Sequence, residues 1–293
     1  MTAPSNPAWE TFPPETLRAL FEAVEIDDVV DPDVGLPDPI DLHCSREEMG
    51  RCFALCLDFW SEGVRRNDLL RLVSTLLRKG DLSPAERLQY KHIRAKYKHL
   101  RFALVLYDAR HRVPPLFSLT VAIMGHLQDA FRNGRRGAVT GYALLLRALL
   151  ARPFWAMVKR RARAIRLDTA DGFLAYRKAE IRRLAKALEQ ERLTGHEFHT
   201  MRKIVSRHVS FYDTLRSLRP SEHHYKMSRY LSAINGLMGS RHDDMIEQAV
   251  SGQRAYRTAA PLDADIWRRV EGLVARYPLG TPQSLPSSKS DGR

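Results

Sequence analysis

Cysteine is scarce in this 293-residue chain: only Cys44, Cys52 and Cys56 occur, close together and odd in number. That is no disulfide framework, and it agrees with a reducing compartment. Long apolar runs are missing as well. The longest, about Pro114 to Leu127, falls short of the roughly 20 residues a membrane span needs, and Arg147 interrupts the next, Tyr142 to Ala151. Met1 to Glu10 has no basic stretch leading into an apolar one. The expectation is a soluble, cytoplasmic protein with no membrane span. A glycine-rich phosphate loop and a serine nucleophile elbow are both absent. So are a zinc finger, a basic region running into a zipper and an aromatic RNA-binding motif, although basic composition by itself permits non-specific nucleic-acid binding.

Charge is plentiful and unevenly placed. Residues 1–44 hold ten carboxylates, Glu10, Glu15, Glu22, Glu25, Asp27, Asp28, Asp31, Asp33, Asp38 and Asp41, against the single base Arg18. This segment carries −9, so the chain's net +13 leaves residues 45–293 with +22. Such a body attracts polyanions: nucleic acid, polyphosphate or anionic lipid. The acidic segment reads either as a shield folded back on the body or as a solvated arm, because seven prolines fill its first forty residues.

Beyond it, one helical pattern follows another with no convincing alternating strand, and the expected fold class is all-α. Helices are expected over 46–65, 67–79, 84–108, 115–132, 138–150, 153–167, 172–192, 196–218, 225–251 and 263–277, with a short one at 15–24. Ser83-Pro84-Ala85-Glu86 is an N-cap with proline at the first helical position and Glu at the third, and Gly80 and Asn133-Gly134 read as stops. The expected organisation is an acidic, largely irregular segment (1–44), an all-α domain (45–277) and a flexible tail (278–293).

One segment of the domain is written twice: Met124-Gly125-His126-Leu127-Gln128-Asp129 and Met238-Gly239-Ser240-Arg241-His242-Asp243. Each follows a basic helix, which places repeats at about 84–167 and 196–277. In the first helix Tyr90, Ile93, Tyr97, Leu100, Leu104 and Tyr107 recur at steps of three and four; a shift of 108 gives Phe198, Met201, Val205, His208, Tyr212 and Leu215. Both read as bundle-facing seams. Beside the first seam runs a cation stripe, Lys91, Arg94, Lys98 and Arg101, whose shifted copy is His199, Arg202, Ser206 and Val209. The copy keeps half the charge. At the Met-Gly pair the shift has grown to 114, as a six-residue loop insertion near 220–226 would explain.

Neighbouring cations on one helix face repel by a few tenths of a kcal/mol per pair, so an anion should compensate them. Lys159, Arg160, Arg161, Arg163 and Arg166 on one later helix, and Arg177, Lys178, Arg182, Arg183 and Lys186 on the next, enlarge the basic inventory. Lys178 and Arg182 lie off the apolar face of theirs. Charge-assisted hydrogen bonds from several such helices around one groove suit a chain of phosphates. His199 reads equally as a phosphate donor or as a structural histidine on a backbone carbonyl, and His208 as a satisfied core histidine. Gly125 and Gly239 read as points of close helix approach. Asp129 and Asp243, one turn on, read as partners for Arg or Lys of the facing helix, a structural role and not a catalytic one.

Cys52 and Cys56, with His43 and Cys44 nearby, fit no common zinc module. His242-Asp243 resembles the dyad of α-helical metal-dependent HD-type phosphohydrolases, a less favoured alternative, but that family's order needs a further His and Asp downstream and His242 is the last histidine here. No metal, cofactor or catalytic residue is expected.

Phe198-His199-Thr200-Met201-Arg202 with Met238-Gly239-Ser240-Arg241-His242-Asp243, and Lys91-His92-Ile93-Arg94 and Lys98-His99-Leu100-Arg101 with Met124 to Asp129, resemble the CHAD family, the conserved histidine α-helical domain. The resemblance spans about Pro84 to Tyr277. It implies two pseudo-symmetric helical bundles around a basic groove that binds inorganic polyphosphate without catalysis. It also implies association with polyphosphate or polyhydroxyalkanoate granules. The implied contacts are Lys91, Arg94, Lys98, Arg101, His199 and Arg202, with Lys178 and Arg182 added from the charge inventory. Lys91 stands where the first unit of the family usually has its histidine, and Ser206 and Val209 replace cations, so the expected site is lopsided. The alternative function is docking to nucleic acid or to a storage-granule surface.

Overall fold

The computed structural model describes residues 9–279. Its elements in chain order are α1 (Pro14–Glu25), α2 (Arg46–Gly63), α3 (Arg66–Lys79), α4 (Pro84–Tyr107), α5 (Pro115–Arg132), α6 (Arg136–Leu149), α7 (Arg152–Arg163), α8 (Ala170–Leu188), β1 (Arg192–Leu193), α9 (Gly195–Leu218), α10 (Glu222–Val250), β2 (Ala260–Pro261) and α11 (Ala264–Arg276). The fold is all-α. The tail expected from residue 278 lies, from 280 onward, outside the described residues.

The helix ends have local causes. Ser83 and Glu86 form the expected reciprocal capping box at α4, with Pro84 in the first turn, and Thr194 and Glu197 form the same box at α9. Gly80 ends α3 at φ 76°, a left-handed conformation that glycine adopts without steric cost. Two expected helices stop early because their ends pair with distant chain. After α7, the Arg166 carbonyl accepts from Ala109 N–H and Asp168 N–H donates to Tyr107 O, which ties 166–168 to the end of α4. After α8, Arg192–Leu193 pairs antiparallel with Ala260–Pro261, a two-residue ladder among the described residues.

Both expected seams are buried along their whole length, from Tyr90 to Tyr107 on α4 and from Phe198 to Leu215 on α9, and they share one continuous core. The change of shift from 108 to 114 is not a loop insertion. The α9–α10 linker, 219–221, is shorter than its counterpart 108–114, and α10 starts about two turns earlier relative to Gly239 than α5 does relative to Gly125. Extra helix absorbs the extra residues.

Over its described residues, 9–44, the acidic segment is not a solvated arm. Leu20, Ala23 and Val24 of α1, and Ile40 and Cys44 after it, are buried, so residue 44 marks no packing boundary. The strap after α1 is held by arginines reaching its carbonyls: Arg229 donates to Ile26 O at 2.8 Å and Val29 O at 3.1 Å, and Arg269 donates to Pro32 O at 3.1 Å. It crosses α10 at Gly236, where any side chain would collide with the Asp28 carbonyl.

Candidate functional site

Each arginine of the repeat lies on the glycine of the following helix. Arg94 lays its guanidinium over Gly125 of α5, where an added Cβ would stand 3.2 Å from Nη2; Arg202 lies over Gly239 of α10 in the same way, at 3.1 Å. Glycine therefore provides a floor for each guanidinium. One turn before Arg94, Tyr90 Oη donates to Met124 O at 3.0 Å and fixes the register of α4 on α5. Alanine at 239 would remove about 1 kcal/mol of helix-propensity cost from the interior of α10 and push the Arg202 guanidinium back by a few tenths of an ångström. The expected result for Gly239→Ala is an unchanged or higher melting temperature with anion binding weakened several-fold. A clear loss of stability would show that the glycine serves packing alone.

Arg94 and Arg101 from α4 converge with Arg202 and Lys203 from α9. All four are half-buried, and none makes an ion pair or hydrogen bond with another described residue; Arg94 Nε is fully covered and unpartnered. Other partly buried arginines do find partners: Arg207 pairs with Glu180, Arg216 with Asp213 at 3.4 Å and Arg241 with Asp263 at 3.6 Å. Burial first, then the like charge of Arg207 and Arg94, holds Arg101 below the ordinary arginine range. Lys203 is lowered by burial and by Arg101 and Arg207. Arg202 is lowered by burial and Arg94, against the pull of Asp243, Asp27 and Asp28. The cluster is a desolvated set of cations whose charged forms would gain from an anion.

His199 sits in the same cluster. Burial, then Lys203, His242, Arg202 and Arg101, pushes its pKa down to about 4. Its ring stacks on His242, centroids 4.9 Å apart at 25°, and its buried Nδ1 has no partner. Among the described residues no backbone carbonyl holds it, contrary to the structural alternative for this histidine. His242 is also lowered, by burial first and Arg202 second, with Asp243 and Asp129 opposing. Its Nε2 lies 3.0 Å from Tyr256 Oη, which donates to Gly195 O at 2.9 Å. The Tyr256 proton being committed, His242 donates from Nε2 and keeps an acceptor at Nδ1.

The strap from α1 reaches the edge of this cluster. Asp27 Oδ2 is 3.7 Å from Lys98 Nζ, and the Asp27 carbonyl accepts from Asn235 Nδ2 at 2.8 Å. Burial raises the Asp27 carboxyl above its usual range against the pull of Lys98. Asn235 Oδ1 in turn accepts from Ser206 Oγ at 2.7 Å. The two non-basic positions of the second stripe, Ser206 and Val209, are thus turned into the interior.

Of the expected contacts, Arg94, Arg101, His199 and Arg202 come together. Lys98 is engaged at the edge and Lys91 is exposed near the start of α4. Lys178 and Arg182 do not join them: Arg182 donates to Leu279 O at 3.0 Å, and Lys178, one turn earlier, shares that face of α8. Arg177 is core, fully buried with its guanidinium 4.0 Å from the Phe211 ring centre and an Nη2 bond of 3.1 Å to Tyr212 Oη. Asp129 and Asp243 are exposed, and neither forms an ion pair with Arg or Lys among the described residues, contrary to the expected pairing. His208 is a core histidine as expected, but it is not satisfied: its Nε2 has no hydrogen-bond partner among the described residues and lies 3.7 Å from Glu180. Lys203 and Arg207 were missing from the expectation. They follow His199 at steps of four, a face one position round from the stripe aligned on the first repeat, and they restore the cations that Ser206 and Val209 lack.

The three cysteines are buried and free; burial pushes the Cys44 and Cys56 thiols up to about 12. Among the described residues no group of three or more His, Cys, Asp or Glu side chains is arranged to hold a metal ion. The chain matches no protein-family model, no curated protein and no solved structure.

Proposed function

We propose that the protein binds inorganic polyphosphate without catalysis, as a member of the family that its two Met-Gly-x-x-x-Asp repeats resemble. The observation that carries this reading is the set Arg94, Arg101, Arg202 and Lys203, half-buried on two helices and lacking acceptors among the described residues. A linear phosphate chain brings a negative charge and acceptor oxygens at every unit, so one ligand can engage all four. The two hairpins, α4–α5 and α9–α10, act on this reading as paired walls of one groove. The ligand would be met in the cytoplasm, free or at granules of polyphosphate or polyhydroxyalkanoate.

Calorimetric titration with long-chain polyphosphate between pH 5 and pH 8 tests the proposal. In the free protein His199 stays neutral until pH falls to about 4. A bound polyanion raises that value and the His242 value with it, so the complex binds more protons than the free protein. Affinity should strengthen as pH falls through the raised values, by up to about tenfold per pH unit for each histidine that titrates. The absence of saturable binding would refute the proposal, and binding that weakens as pH falls would remove the histidines from the site.

A further inference from the structure

From 130 to 167 the chain has no Asp or Glu but ten Arg and Lys residues. This stretch runs from the last turn of α5 through α6 and α7, which are joined by a two-residue break and bent by 70°. Among the described residues no single helix is long and apolar enough to cross a membrane; these two reach that composition only together. Their outward surface is unusually apolar for an unpartnered face. Leu144 is 55% exposed, Leu145 52%, Phe154 43% and Met157 41%, while Gly137, Gly141 and Ala148 continue the α6 face without polar side chains. The inner face, Val139, Ala143 and Leu146 on α6 with Val158 and Ala162 on α7, is fully used by the core. Exposure of the outer leucines is therefore not a by-product of loose packing.

Arg147 and Arg152 flank the apolar corner, and Arg160, Arg161 and Arg163 continue α7 beyond it. None of these makes an ion pair with a described residue. We infer that the α6–α7 corner docks on an anionic phospholipid bilayer, its leucines, Phe154 and Met157 entering the headgroup boundary and its arginines meeting lipid phosphates. Three features select this occupant. A second copy of the chain would set cation against cation. A nucleic-acid backbone would leave the central leucines without a partner. A bent amphipathic pair can lie in the interface plane, whereas a broken helix pair facing lipid across the whole bilayer would leave the backbone at the break unsatisfied.

The surface is distinct from the cluster around Arg94 and Arg202. Gly125 of α5 supports Arg94, whereas His126, the next residue, stacks on Tyr142 of α6 at 5.3 Å. Flotation of the full-length protein with phosphatidylcholine vesicles, with and without phosphatidylglycerol, tests the inference. Binding should be at least about tenfold stronger to the anionic vesicles and weaken with salt. Leu144→Asp with Phe154→Asp, and separately Arg160→Glu with Arg161→Glu, should each reduce vesicle binding about tenfold, with helical signal and polyphosphate affinity retained. The second pair lies on exposed positions and keeps the test decisive if the first pair perturbs folding. Any of three results would overturn the inference: equal binding to neutral vesicles, vesicle binding that depends on Arg94 and Arg202 and ignores the corner, or duplex DNA binding that needs Arg160 and Arg161 while vesicles are ignored.

Discussion

Alanine at both Arg94 and Arg202 should reduce affinity for long-chain polyphosphate by about 3–5 kcal/mol, a loss of roughly two to four orders of magnitude, while changing folding stability little. Each guanidinium offers charge-assisted hydrogen bonds from a half-buried position, where one such contact contributes about 1.5–3 kcal/mol. Neither arginine gives up a protein partner when removed, because neither has one among the described residues. Removal even relieves like-charge pressure, since Arg94 bears on both Arg101 and Arg202. Each single variant should lose roughly half of the total, because the two guanidinia rest on separate glycine floors in separate hairpins. Isothermal titration and thermal unfolding of the three variants read the two effects separately. A double variant that binds as well as the parent would place the ligand elsewhere.

Arg207→Ala should behave in the opposite way, with its largest effect on stability. Glu180 is 0% exposed and receives Arg207 Nε at 2.8 Å and Tyr176 Oη at 3.1 Å. Removing the guanidinium strands a buried carboxylate, and such a break costs about 3–5 kcal/mol. Replacing both partners with apolar residues, Arg207→Met with Glu180→Leu, should recover most of that loss, because the desolvation cost of both charges disappears. Urea unfolding of the single and double variants measures the difference. A cost below about 1 kcal/mol for Arg207→Ala would mean that the pair behaves like an exposed one. Arg207 also presses on Arg101 and Lys203, so its ligand-binding phenotype mixes a lost charge with a damaged fold.

The features legible in the sequence were those with local causes. Capping residues such as Ser83 and Glu86, the stop at Gly80 and the three-four spacing from Tyr90 to Tyr107 each act within a turn or two, and each stands as expected. What escaped depended on distant partners. The ends of α7 and α8 are set by pairing to Tyr107 and to Ala260, more than fifty residues away in sequence. The sequence leaves the acidic strap open between a folded-back shield and a solvated arm, because its carbonyl partners, Arg229 and Arg269, lie far along the chain. The site was half legible. Aligning the repeats identified Arg94 with Arg202, and the glycine contacts pair the same two residues. The assumption that the second stripe follows the first concealed Lys203 and Arg207, because a face is set by packing as well as spacing: Ser206 and Val209 are drawn inward by Asn235 and the core.

On the proposed reading the cluster is built for a phosphate chain and is more than a general attractor of polyanions. Parallel titrations with long-chain polyphosphate and with duplex DNA, each at low and at raised salt, test it most directly. Both ligands weaken with salt through counterion release. Polyphosphate should remain bound at the salt concentration where duplex DNA is lost, and Arg94→Ala with Arg202→Ala should abolish that margin. Equal salt sensitivity and equal affinity for the two ligands would contradict that reading.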